Sequence, residues 1–117
     1  MKVNIYSDDP KFHELLAHEL FHAVSARYRI PYHVLASKKR SRGAVACRDV
    51  AYQTAISMFL LDFKQTARAF GVSPAAISSS WIRSLDNWNP VMSSVVLAEV
   101  FDVVVQKLRS MESSWAI

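Results

Sequence analysis

Two groups of residues in this chain have types and spacings that could do chemistry. His18-Glu19-Leu20-Phe21-His22 is a His-Glu-x-x-His pattern. On a helix it sets two imidazoles on one face and a carboxylate beside a metal-bound water, as zinc hydrolases require. The pattern has no third ligand to lean on: neither familiar downstream continuation follows, and the remaining histidines are His13 and His33. Zinc hydrolysis is therefore a minor alternative, and the expectation is no bound metal, no cofactor and no enzymatic activity. The second group is basic. Arg27, Arg29, Lys38, Lys39, Arg40, Arg42 and Arg48 make up half of the 14 Lys and Arg residues, in a stretch without Asp or Glu. Like charges packed as tightly as Ser37-Lys38-Lys39-Arg40-Ser41-Arg42 repel unless solvent or a polyanion takes up their field. With a helix-turn-helix-like segment close behind, the expected polyanion is DNA.

Composition narrows the setting. A chain of 117 residues, 51% of them hydrophobic, makes one domain with a genuine core and leaves little for a second. The expected organisation is a single helical domain over 1–117, with a DNA-binding core at about 10–89 and a C-terminal helix at 90–112. Cys47 is the one cysteine, so neither an internal disulfide nor a cysteine zinc cluster is expected; it reads as a small buried filler in a reducing cytoplasm. Ser7, Asp8 and Asp9 follow the N-terminal Met1-Lys2-Val3-Asn4-Ile5-Tyr6 before any apolar run develops. No uncharged stretch approaches the roughly 20 residues that cross a bilayer, so no membrane partner is expected. The net charge is only +4, which makes the positive field a local patch.

The elements that must position these residues are helical almost throughout, which predicts an all-α bundle of about five or six helices. Asp9 caps and Pro10 opens a first helix whose apolar face is Phe12, Leu16, Leu20, Ala23, Val24 and Tyr28, ending before Pro31. A single turn over Pro31 to Ala36 puts Tyr32 and Leu35 in the core. Ser37 to Ala44, closing with Gly43, reads as loop. A long helix from about Val45 to Leu60 turns Val50, Ala51, Ala55, Met58 and Phe59 inward, with Arg48 in its first turns, where exposed amides favour an anion.

Phe63 to Ile77 carries the most specific local pattern. Ala67 is small where two helices would cross, Gly71 supplies a positive φ at a turn, Ser73 caps the next helix and Pro74 fits its first turn. This is helix-turn-helix spacing. It predicts a second helix from Ser73 to Arg83 with Pro74, Ala75, Ser78 and Ser79 outward, toward base edges, and Ile77, Trp81 and Ile82 inward. The candidate DNA-binding residues are Lys38, Lys39, Arg40, Arg42, Arg48, Lys64, Ser73, Ala75, Ala76, Ser78, Ser79 and Arg83. Lys38, Lys39 and Arg48 are expected on phosphates.

From Ala26 to about Gly71 these residues resemble the C-terminal DNA-binding domain of the bacterial replication initiator DnaA, in the wider group that includes the Trp repressor. The resemblance rests on Tyr28-Arg29-Ile30, Leu35, Ser37-Lys38-Lys39-Arg40-Ser41-Arg42, Arg48 and Ala51, and Ala69-Phe70-Gly71. It implies that Arg40 enters the minor groove with Arg42 beside it, and that Arg48 lies at a helix start near the DNA backbone. After Gly71 the family continues with a second Gly, then Arg, Asp, His, Thr and Thr, whose polar residues read bases. This chain has Val72-Ser73-Pro74-Ala75-Ala76 instead, so the initiator's own box sequence is not the expected target. Ala75 suits a thymine methyl, and Ser78 or Ser79 a hydrogen bond. Much of the selectivity is expected from the minor-groove arginines and DNA shape. With two glycines and no phosphate loop, an ATP-driven initiator is excluded.

Between Pro90 and Met111 the apolar residues Val91, Val95, Val96, Leu97, Val100, Phe101, Val103, Val104, Val105 and Leu108 form a face wider than one contact needs. Either this helix is wrapped by the others or a second copy covers it. A homodimer through the C-terminal helix is the expectation, with two corners engaging neighbouring half-sites. The sequence thus predicts a small bacterial or phage regulator of transcription or replication that binds double-stranded DNA, cytoplasmic and associated with the nucleoid. The competing reading is a protein-interaction module that opposes or assists the initiator.

Overall fold

Asp9 begins the first helix as its sequence suggests: the carboxylate accepts from the Lys11 amide at 3.0 Å, and Pro10 occupies the first turn. In a computed structural model that describes residues 4–86 and 92–115, with side chains to 112, this helix is α1, Pro10–Tyr28. It stops where Arg29 takes a left-handed conformation with φ 55° and Ser25 Oγ donates to the Ile30 carbonyl at 2.6 Å. The short α2, Tyr32–Ala36, buries Leu35 and leaves Tyr32 half-buried. Then follow α3 at Arg42–Ser57, α4 at Phe63–Phe70, α5 at Pro74–Leu85 and α6 at Ser94–Trp115. Six helices and no strand among the described residues make an all-α bundle. Pro90 and Val91, expected at the start of the C-terminal face, lie outside the described residues, as do Met1, Lys2 and Val3, and Ala116 and Ile117 in the tail.

The centre of the bundle is α3, which touches all five other helices. Ala44 and every residue from Ala46 to Ala55 are buried, so this helix has almost no solvent face. That environment explains its small residues: Ala44, Ala46, Ala51 and Ala55 let neighbours approach closely. Among the described residues no buried side-chain polar atom lacks a hydrogen-bond partner. Thr54 Oγ1 donates to the Val50 carbonyl at 2.7 Å, and Gln53 Nε2 donates to Ser80 Oγ at 3.1 Å. Cys47 is buried as expected, and burial pushes its thiol pKa up.

Two boundaries differ from expectation. The basic loop is shorter than 37–44, because Ser41 accepts from the Ala44 amide at 3.3 Å and starts α3 at Arg42, with Gly43 inside the helix. At its other end α3 stops at Ser57, short of Leu60. Leu60 adopts φ 63° and points 69% exposed, which reverses the chain so that Phe59 and Leu61 both bury.

The wide apolar face of α6 is mostly absorbed by the bundle, but α6 is a flank and not the centre. Val100, Val104 and Leu108 are buried against α1 and α3, each burial being worth about 1.5–3 kcal/mol. Val96, Leu97, Phe101 and Val105 are half-buried on the same core, and Phe101 meets Phe59 at 4.8 Å between ring centroids. Val95 and Val103 remain more than half exposed. Arg27 ties α1 to α6 through Glu99 at 2.6 Å, an exposed pair worth little by itself.

Candidate nucleic-acid interface

The corner between α4 and α5 is built by local rules. Asp62 and Gln65 form a reciprocal capping box at the start of α4, a signal that their three-residue spacing carries in the sequence. Ala67 is buried where the helices meet, Gly71 turns the chain at φ 68°, and Ser73 Oγ accepts from the Ala76 amide at 3.2 Å to start α5. Along α5, Ile77 and Ser80 are buried, Ala76 and Ser78 are half-buried, and Pro74, Ala75 and Ser79 are exposed. The outward side is the one anticipated, with one correction. Ile82 does not face inward; it is 57% exposed, since five residues beyond Ile77 a helix has turned about 140° away from the buried side. Trp81 is half-buried against Phe63, 5.9 Å between ring centroids.

The inner side of α5 is locked to α3 by charge. Asp49 is fully buried, and Arg83 grips it through Nε at 2.8 Å and Nη2 at 2.9 Å. The carboxylate holds the Arg83 pKa above its ordinary value, chiefly through that hydrogen bond. Arg83, expected to reach DNA from the end of α5, is therefore a strut that sets the helix's rotation. Sequence reasoning missed Asp49 because its partner lies 34 residues away.

Arg48 is a larger correction. Expected on a DNA phosphate, it is buried, and its guanidinium donates to four main-chain carbonyls: Leu35 at 2.8 Å, Val34 at 2.9 Å, Ser37 at 2.8 Å and Lys39 at 2.5 Å. A group so consumed has little left for a phosphate. What it does is hold the basic loop to the core. Ser37 Oγ adds a second fastening, donating to the Val34 carbonyl at 2.7 Å and accepting from the Lys39 amide at 3.2 Å. The loop backbone is thus tied down from Val34 to Lys39, while Lys38, Lys39, Arg40 and Arg42 are exposed. Among the described residues none of these four side chains pairs with an acid.

Loop and corner meet at one groove of about 670 Å³. Ser37, Lys38 and Arg40 of the loop and Gly71, Val72, Ala76 and Ser79 of the corner all line it. Arg40 therefore shares a groove with Ala76 and Ser79 of α5, whereas Pro74, Ala75 and Ser78 do not line it. Phe21, Tyr52 and Phe70 also line the groove, their rings 4.9 to 6.4 Å apart. Burial raises the Tyr52 hydroxyl pKa. The groove's two acids are Asp49, neutralised by Arg83, and Glu14 at the edge of α1. Of the other expected residues, Arg42 and Lys39 are exposed beside Arg40, Ser73 and Ala75 are exposed at the front of α5, and Lys64 is exposed on α4 without lining the groove.

The His-Glu-x-x-His segment lies on α1. His18 and His22 are exposed, with Nε2 atoms 3.1 Å apart, whereas Glu19 is buried in the seam between α1 and α6 beside Val103, Val104 and Lys107. Among the described residues no set of three or more His, Cys, Asp or Glu side chains is placed to hold a metal ion. No helix there is long and apolar enough to cross a membrane. No family model, curated protein or solved structure matches the chain.

Proposed function

We propose that this chain binds double-stranded DNA, as a small bacterial or phage regulator of transcription or replication acting in the cytoplasm at the nucleoid, with no catalytic step of its own. The observation that carries the reading is the shared groove: Lys38 and Arg40 of a fastened loop whose four cations are unpaired with acids line it together with Ala76 and Ser79 of a helix that follows a tight corner. Lys38 and Lys39 contact phosphates, Arg40 and Arg42 enter the minor groove, and Ala75, Ala76, Ser78 and Ser79 present small side chains to the major groove. Preorganisation favours binding, because Arg48 has already removed the backbone freedom the loop would otherwise lose on contact.

The resemblance to the DnaA C-terminal domain over Ala26 to Gly71 supports this assignment of Arg40. It assigns Arg48 differently, since in this chain that side chain is turned inward. Small residues on α5 make base discrimination modest, so groove width and deformability carry much of the preference.

In the same reading α6 supplies the contact for a second copy. Val95 and Val103 lie two turns apart and stay exposed after the core has taken its share of the helix. Pairing there gives two corners for two half-sites.

The test is selection of bound duplexes from a random pool, followed by titration of the winner and of a scrambled control at several salt concentrations. With about four phosphates neutralised, log affinity falls against log salt with a slope near −3.6. Enrichment of A·T-rich duplexes and that slope are expected. No enrichment, with a slope near zero, contradicts the proposal and favours a protein-interaction module working through α6.

A further inference from the structure

His18 and His22 occupy neighbouring turns of α1, and both rings are exposed. Their Nε2 atoms are 3.1 Å apart, and their ring centroids 4.4 Å. A single shared proton satisfies that approach only if one nitrogen donates and the other accepts. A metal ion satisfies it as well, because two nitrogens each about 2.0–2.1 Å from one ion, at coordination angles of 90° to 110°, stand about 2.9–3.4 Å apart. The separation of 3.1 Å falls inside that window.

The support behind the pair also has the form a ligand needs. His18 Nδ1 lies 3.0 Å from the Tyr32 hydroxyl. If that nitrogen donates to the hydroxyl, the lone pair of His18 is fixed on Nε2, toward His22. Tyr32 also stacks on the His22 ring, centroids 4.4 Å apart and planes 27° from parallel, so one side chain from α2 holds both imidazoles.

We propose that His18 and His22 form a two-imidazole clamp for a divalent transition-metal ion of the copper, nickel and zinc group, with water filling the remaining positions and Tyr32 fixing the His18 tautomer. Two imidazoles favour copper over nickel and zinc. Two protein ligands fall short of the three that catalytic zinc sites use, so the clamp is a binding site and not a hydrolytic centre. The inference does not depend on DNA binding. The other histidines are placed differently: His13 Nε2 is engaged by the Ser7 carbonyl at 2.7 Å, and His33 is exposed on α2.

The experiment is calorimetric titration of the full chain with Cu(II), Ni(II) and Zn(II) separately, with paramagnetic resonance of the copper form. One ion per chain is expected, copper tightest, with hyperfine structure from two equivalent nitrogens. His18→Ala and His22→Ala should each weaken binding more than about tenfold, Tyr32→Phe by about tenfold with unchanged stoichiometry, and His33→Ala not at all. Unchanged circular dichroism in the variants separates ligand loss from misfolding. Absence of one-to-one binding, a single-nitrogen spectrum, or equal loss in His33→Ala would overturn the proposal.

Discussion

The guanidinium of Arg48, buried in the central helix, donates to the main-chain carbonyl of Lys39 in the middle of the basic loop at 2.5 Å. A positive side chain thus spends its donors on positioning other positive side chains. Arg48→Ala removes four charge-assisted bonds and frees the 37–41 segment. Stability should fall by about 2–4 kcal/mol, well below the sum for four charge-assisted bonds because the released carbonyls reach water. Arg48→Lys should restore less than half, since an ammonium lacks the planar fork that reaches several carbonyls at once. Denaturant titration and amide exchange over the loop check both.

The pair joining α3 to α5 gives an asymmetric expectation. Arg83→Ala strands the buried Asp49 carboxylate without its partner and should cost about 3–5 kcal/mol. Arg83→Ala combined with Asp49→Ala removes the stranded charge and should recover part of that loss. Chemical denaturation of the two variants decides; equal losses would contradict the strut.

Gly71 isolates the cost of the corner's backbone. Nothing lies within 4 Å of where a Cβ would be, so Gly71→Ala meets no clash and pays only for φ 68°. A loss of about 1 kcal/mol is expected. Ala67→Leu acts through packing, overfilling a buried crossing, and should lose about 1–3 kcal/mol with a misplaced α5.

Much of this arrangement was legible in the sequence, and what was not has a common cause. Asp9-Pro10, Gly71 and Ser73-Pro74 act within a few residues of themselves, so the ends of α1 and the α4–α5 corner follow from local chemistry. The inward roles of Arg48 and Arg83 are not visible locally because their partners lie 9 to 14 and 34 residues away. Ser41 is ambiguous in the sequence because serine favours both loops and caps, and only the Ala44 amide distinguishes them. The groove required knowing that α3 carries the loop on one side and α5 on the other. The convergence of the two Nε2 atoms depends on rotamers that a His-Glu-x-x-His pattern leaves open.

Alkali should loosen the fold through two buried acids of the core. Burial raises the Cys47 thiol and the Tyr52 hydroxyl above their ordinary values of 9.0 and 10.0. Both are protonated in folded and unfolded chains below about pH 8, and the stability is then full. As pH rises past those ordinary values the unfolded chain releases its protons first, so stability is lost progressively through the raised folded-state values. Tyr52→Phe and Cys47→Ala should each flatten the decline above pH 9, measured by thermal unfolding across pH 7–11.

The central claim is that Arg40 and Arg42 grip a duplex alongside α5, and fluorescence anisotropy of a labelled A·T-rich duplex with Arg40→Ala/Arg42→Ala tests it most directly. The variant should keep its thermal stability, bind at least about tenfold more weakly, lose its preference for A·T-rich DNA, and show a salt slope shallower by about 1.8. A folded variant that binds as tightly, with the same slope and preference, would contradict the account.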